Sequence, residues 1–213
     1  MRPPPLALDH LVVCARALGE GAAWVEAALG AATVPGGAHP AMGTRNRLLS
    51  LGPGAYLEVI AVDPDAPPPG RARWFGLDGW DGPPALAAWV ARTDDLDAAL
   101  AAAPEGAGEP LDFERDDLRW RMGIPLSGVA PLDGAHPLLI EWRSEPAARR
   151  LPDAGCRLAR LGIETPHEAA LREALAPLLA ADGRVRVARG PRLAFKAEIE
   201  TPSGTRRLDA ALA

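Results

Sequence analysis

A strand, a helix and three further strands occur in that order twice along these 213 residues, and a shorter copy follows. Self-similarity of this kind fixes an architecture before any short motif can. The first copy opens with LALDHLVVCA (6–15), whose Val and Leu content reads as a strand. GEGAAWVEAAL (19–29) follows, with Trp24, Ala28 and neighbouring apolar positions at helical spacing and a stop at Gly30. A short strand then leads to RNRLLSLG (45–52) and AYLEVIAV (55–62), a hairpin turned by GPG.

The second copy begins after residues 63–84, whose density of proline and glycine opposes regular structure. ALAAWVART (85–93) reads as its strand and DDLDAALAAA (94–103) as its helix. PLDFER (110–115), DLRWRMGIP (117–125) and HPLLIEWRS (136–144) follow, with RDD as the tight turn between the first two. The third copy holds CRLARLGIE (156–164), a helix from His167 to about Ala181, RVRVARG (184–190), LAFKAEIE (193–200) and TRRLDA (205–210). Thr165, Pro166 and Glu168 predict its helix start, as a cap, a first helical residue and a capping-box acid.

These patterns predict an α+β fold of paired βαβββ repeats. Units 6–65 and 84–145, joined by the linker, form one domain over 6–145, and residues 153–211 form an extension. One such unit cannot cover its own curved sheet, so two are expected to pair and leave a cup between them. Period-2 alternation places Tyr56, Glu58 and Ile60 on one face of their strand, and His10 with Leu8 and Val12 on one face of theirs. If those faces coincide, His10 meets Glu58.

Three sets of residues could carry chemistry. GGAHPAMGTRN (36–46) combines glycines that admit a close backbone approach with His39, Thr44 and Asn46, which offer a titratable group, a hydroxyl and an amide. His39 is the group there best able to move protons near neutral pH. Alternatively, Thr44 and Asn46 satisfy their own turn. The second set is Trp89, Trp120 and Trp142 with Arg115, Arg119 and Arg121. Arginine holds carboxylates bidentately and tryptophan packs the rest of a ligand, so an anionic organic molecule fits. An ordinary half-buried strand with its arginines in water has the same pattern. The third set is His10 and Glu58. A buried acid needs a partner, either a metal or another side chain.

The net charge of −5 argues against a nucleic-acid surface, and no apolar run approaches the roughly 18 residues that cross a bilayer. Partners are then expected to be small molecules, with the chain a monomer or homodimer. Cys14 and Cys156 are too few for a disulfide framework, and the start lacks an apolar signal core, so a reducing cytoplasm is the expected setting. No nucleophile elbow, phosphate-binding loop or paired-cysteine motif occurs.

LDHLVV, YLEVIAVDP and the repeated unit resemble the vicinal oxygen chelate superfamily; the 36–46 segment, LRWRMGIP and HPLLIEW resemble its glyoxalase-like domain proteins. The resemblance covers roughly residues 8 to 145. It implies a divalent metal (Zn, Ni, Mn or Fe) held by residues of the first and last strands of each unit, here His10, Glu58 and Glu141. It further implies a metal-assisted lyase or isomerase acting on a small anionic carbonyl compound, with His39 or Glu58 moving the proton and Thr44, Asn46, Trp89, Trp120, Arg121 and Trp142 binding substrate. Two features depart from that pattern. The remaining ligand position falls near Ala88 or Trp89, which cannot bind metal, and alternation sets Glu141 opposite Leu138, Ile140 and Trp142. A metal-free, antibiotic-sequestering binding protein is the alternative, and a ring-cleaving dioxygenase a further one.

Overall fold

The computed structural model describes residues 4–211 as two sheets. The larger has eight strands in the order β2-β3-β4-β1-β5-β8-β7-β6. Unit one supplies β1 (Ala7–Cys14), β2 (Val34–His39), β3 (Thr44–Ser50) and β4 (Tyr56–Val62), with α1 (Leu18–Leu29) between β1 and β2. Unit two supplies β5 (Ala85–Arg92), α2 (Leu96–Ala102), β6 (Glu109–Arg115), β7 (Leu118–Ile124) and β8 (Leu138–Trp142). In each unit the first strand lies parallel beside the last, and β1 and β5 join the halves antiparallel. The segment 36–46 is therefore not a free loop. It is the edge strand β2, a turn at Pro40–Met42 closed by Gly43 with φ 56°, and the start of β3.

Alternation along the strands separates two cores. On the cup side lie Val12, Tyr56, Ile60, Val90, Leu118, Trp120, Met122 and Ile140. On the outer side lie Leu8, Leu11, Leu57, Val59, Leu86, Trp89 and Leu139, which pack with the third unit. Strand β1 departs from strict alternation. Its register against β5 shifts between Leu8 and His10, so Leu8 faces out while His10 joins Val12 on the cup side. The expected grouping of His10 with Leu8 fails because a bulge inserts one extra residue, Asp9.

The third unit forms the second sheet, β10 (Val185–Arg189), β9 (Arg157–Thr165), β11 (Ala194–Thr201) and β12 (Gly204–Ala211), in that order. Its helical segment is two helices, α3 (Glu168–Ala174) and α4 (Ala176–Ala181). Pro177 has no N–H to give to the turn before it, so the single helix expected from the sequence breaks at Leu175. The expected capping box does not form either. Thr165 ends β9 and accepts the His167 N–H, while Glu168 pairs with Arg172. Among the described residues no helix is long and apolar enough to cross a membrane.

Trp89 faces this shared outer core, and its Nε1 donates to the Ala135 carbonyl at 3.0 Å. It is not part of the cup, contrary to the role expected from its sequence neighbourhood. Trp89→Ala is expected to destabilise the fold by about 3–5 kcal/mol, as other deeply buried aromatic truncations do, in urea unfolding. Ligand affinity of the folded fraction should stay within twofold; a collapse of binding without loss of stability would return Trp89 to the site.

Candidate functional site

The cup holds about 440 Å³ of empty space, counting its open mouth. At its base β1 and β4 run parallel with Val12 opposite Glu58 and His10 opposite Tyr56, so both functional side chains rise from neighbouring strands on one face. His10 Nε2 lies 3.5 Å from Glu58 Oε2. The bulge brings the Asp9 carboxylate round to His10, where Nδ1 donates to Oδ1 at 2.7 Å. The other Asp9 oxygen accepts Trp142 Nε1 at 3.0 Å. Tyr56 stacks on the His10 ring, centroids 4.4 Å apart. A buried imidazole thus sits between two buried carboxylates.

That arrangement decides its charge. Burial alone would lower the His10 pKa, but the hydrogen bonds and charges of Asp9 and Glu58 outweigh it and raise the value to about 9. Burial would likewise raise Glu58, yet His10, together with the Asn46 amide that donates to its Oε1, lowers it to about 2. At neutral pH the site is an imidazolium–carboxylate pair.

The second layer comes from the two sheet edges. The sheet curls until the end of β6 meets β2, and Arg115 Nη1 donates to His39 Nε2 at 3.1 Å and to Asn46 Oδ1 at 3.2 Å. With Nε2 accepting, the neutral His39 donates from Nδ1 to Thr44 Oγ1 at 3.1 Å. Burial, reinforced by the Arg115 and His10 charges, lowers the His39 pKa to about 4. His39 therefore stays neutral through the physiological range, unlike the proton carrier that the sequence suggests. The glycines of β2 make room for this crossing. A Cβ on Gly37 would lie 2.6 Å from Arg115 Cδ, and one on Gly36 would overlap the Asn46 amide.

Aromatic rings complete the wall. Trp74 and Trp120 meet His39 edge-on, Phe113 stacks on Trp120, and Trp142 leans on Trp120. Trp74 and Phe75 come from the Pro/Gly-rich linker, which holds two short turns kinked at Phe75–Gly76 against the cup. The buried Trp74 Nε1 has no hydrogen-bond partner among the described residues.

The structure thus gathers His10, Glu58, His39, Thr44, Asn46, Trp120 and Trp142 at one place. It leaves out three others. Arg121 and Glu141 face the outer side, where Arg121 pairs with Asp97 and Glu141 contacts Arg121 and Arg143. Trp89 lies on that side too. Sequence reasoning missed Asp9, Arg115 as the cup's own arginine, Tyr56 as the ring under His10, and the Trp74–Phe75 pair. Alternation along β6 places Phe113 and Arg115 on one face, and this signal was available for Arg115.

The residues present do not fit a resident metal ion. Among the described residues only His10 and Glu58 occupy ligand positions; Ile140 lines the opposite half, Ala88 opens on a neighbouring apolar cavity, and Glu141 points away. No group of three His, Cys, Asp or Glu side chains able to hold a metal occurs among the described residues. His10 already shares its proton with two acids, and the Arg115 cation stands beside the pair.

Comparison with known proteins follows the same lines. The glyoxalase-like domain family model matches residues 8–179. A hypothetical protein from Staphylococcus aureus has a similar structure, with a TM-score of 0.64 at 15% identity, covering 88% of this chain and 87% of that one. Methylmalonyl-CoA epimerase from Mycobacterium tuberculosis aligns at a TM-score of 0.43 and 18% identity, over 68% of this chain and 92% of the other. A mutant 4-hydroxymandelate synthase from Streptomyces coelicolor aligns at 0.45 and 18%, over 98% of this chain and 63% of that one. These likenesses concern the fold. No curated protein matches the sequence. With a family model spanning most of its length and both halves of the cup in place, the chain belongs to the glyoxalase-like domain family of the vicinal oxygen chelate superfamily.

Proposed function

We propose that the protein is a metal-independent isomerase or lyase that moves a proton beside the carbonyl of a small anionic compound. Arg115 carries this reading. Its guanidinium is half-buried among aromatic rings, and its partners are the neutral groups His39 and Asn46. Among the described residues no carboxylate lies within 4.0 Å of it. A half-buried guanidinium whose direct partners are neutral keeps N–H groups that a ligand carboxylate can take up bidentately. The unpartnered Trp74 N–H offers that ligand one more donor.

With the anion on Arg115, the carbonyl lies toward His10 and Glu58. The Nε2–H of the His10 imidazolium can turn from Glu58 to the carbonyl oxygen and stabilise the negative charge that develops there. Glu58 then loses the partner that lowers its pKa while its burial persists, so its basicity rises as the substrate binds. It takes the proton from the neighbouring carbon, and the electron pair moves onto the oxygen. Return of the proton to a different position or face completes an isomerisation; departure of a leaving group completes an elimination. Asp9 holds the imidazole ring, and His39 and Asn46 orient Arg115.

A second reading, a binding protein that sequesters its ligand, draws on the closed contacts of Asp9, His10 and Glu58. A pair whose polar atoms are matched internally can serve structure alone. Exchange of the carbon-bound protons of 2-oxobutanoate with deuterated water, followed by NMR, separates the two. The expected result is exchange that survives dialysis against a chelator, falls at least a hundredfold in Glu58→Gln, and needs tenfold more substrate, about 1.4 kcal/mol, in Arg115→Met. Binding without exchange favours sequestration, and exchange lost with the chelator restores the metal.

The ion pair also sets a pH profile. The raised His10 pKa contributes stability that is complete below its ordinary 6.5 and is lost as pH climbs through about 9. His39 and His136, both lowered to about 4 mainly by burial, weaken the fold as pH drops from 6.5 toward 4. Glu58 adds a loss between 4.5 and about 2. Melting temperature is expected to peak near pH 6.5, and His10→Gln should remove the decline between pH 6.5 and about 9 and the Glu58 share of the acid decline, while leaving the share due to His39 and His136. An unchanged alkaline limb in that variant would mean that His10 is not the imidazolium described.

A further inference from the structure

Phe75 lines the cup and also a second cavity of about 460 Å³, again counting its open mouth. No other described residue lines both. The second cavity is walled by Trp80, Ala88, Val129, Ala130, His136 and Leu138, with apolar surface predominating. The two spaces lie side by side along β8, where Leu138 faces one and Ile140, two residues on and on the same side, faces the other. The backbone of Phe75 has φ 59° and ψ 18°, a left-handed conformation that a bulky residue adopts only where its surroundings impose it. Those surroundings are visible: the next residue, Gly76, donates its N–H to Gly128 O at 3.1 Å, and Trp74 on the other side packs against Phe113. An aromatic ring held at a strained position between two cavities requires a reason beyond core packing.

We infer that Phe75 is the specificity-determining residue of the cup: it ends the space open to a ligand anchored on Arg115 and shuts off the apolar cavity behind. The ligand class that follows is a compact 2-oxo carboxylate, with no more than a short apolar group reaching toward Phe75. Removing the ring joins the spaces, and the apolar walls then accept an alkyl tail. This rests on the anion-binding reading of Arg115 given above.

The test compares 2-oxobutanoate with 2-oxooctanoate by calorimetry on the full chain, in wild type, Phe75→Ala and Phe75→Gly. Glycine takes the left-handed backbone without strain, so Phe75→Gly guards against a variant that fails only because it folds poorly. Melting temperature is recorded for each. Wild type is expected to bind 2-oxobutanoate at least tenfold more tightly than 2-oxooctanoate. Both variants should gain at least tenfold for 2-oxooctanoate and stay within threefold for 2-oxobutanoate. Unchanged discrimination in a folded Phe75→Gly overturns the role of Phe75 while leaving Arg115 in place. Arg115→Met is the separate control: if it binds 2-oxobutanoate as wild type does, or if neither acid binds any form, the anion reading falls and this inference with it.

Discussion

One extra residue in the central strand sets the chemistry of this molecule. Without the bulge at Asp9, His10 would share the outer face with Leu8, and an imidazole would be buried in an apolar core with nothing to bond. The bulge turns it into the cup and sends the Asp9 carboxylate to the same side. Two acids and one imidazole then share a buried space. Burial of such groups is tolerable only if opposite charges meet, so Asp9, His10 and Glu58 must be present together. Trp142 and Asn46, from either side, satisfy the remaining carboxylate oxygens and lock both acids.

Much of this was legible in the sequence, because strand periodicity is an intrinsic property of each segment. The repeated order of elements, the hairpins, the cup face of β4 and the outward direction of Glu141 follow from alternation alone. What was not legible depends on the path of the chain rather than its composition. A bulge leaves no mark in LALDHLVV, so the face of His10 was right and its companion Leu8 wrong. Trp89 and Arg121 belong to strands whose inward faces are set by their partners, and a single sequence does not state which side of β5 or β7 the cup takes. Proline and glycine make the linker look like punctuation, yet two of its aromatic residues, Trp74 and Phe75, line the site. The glycines of β2 looked like a ligand-binding loop, and their use is to let an arginine from the other edge cross.

The paired design also lets the two halves of the molecule differ in chemistry while keeping one cup. Each unit contributes to the wall, and β8 offers it the apolar Ile140, with Ala88 and Leu138 lining the neighbouring cavity. The acids and imidazoles come from the first unit, while the second unit supplies Phe113, Trp120 and Trp142 and, from its edge strand, the arginine. Asymmetry inside a repeated fold is what gives the site an anionic end and an apolar end.

The outer core has a different consequence. Residues of both units and of the third sheet, from Leu8 to Leu208, bury one continuous apolar surface. The cup-side core belongs to the first two units, but the third sheet buries its apolar face only against theirs. Unfolding should proceed as one concerted transition, with no stage at which the third sheet detaches from an intact cup. Central pairings are also remote in sequence, since β1 needs both β4 and β5, which lie tens of residues away. A chain wired in this way closes many long loops before any contact rewards it, so its refolding should be slow for its size and its nascent strands exposed to misassociation until the last segment has been made.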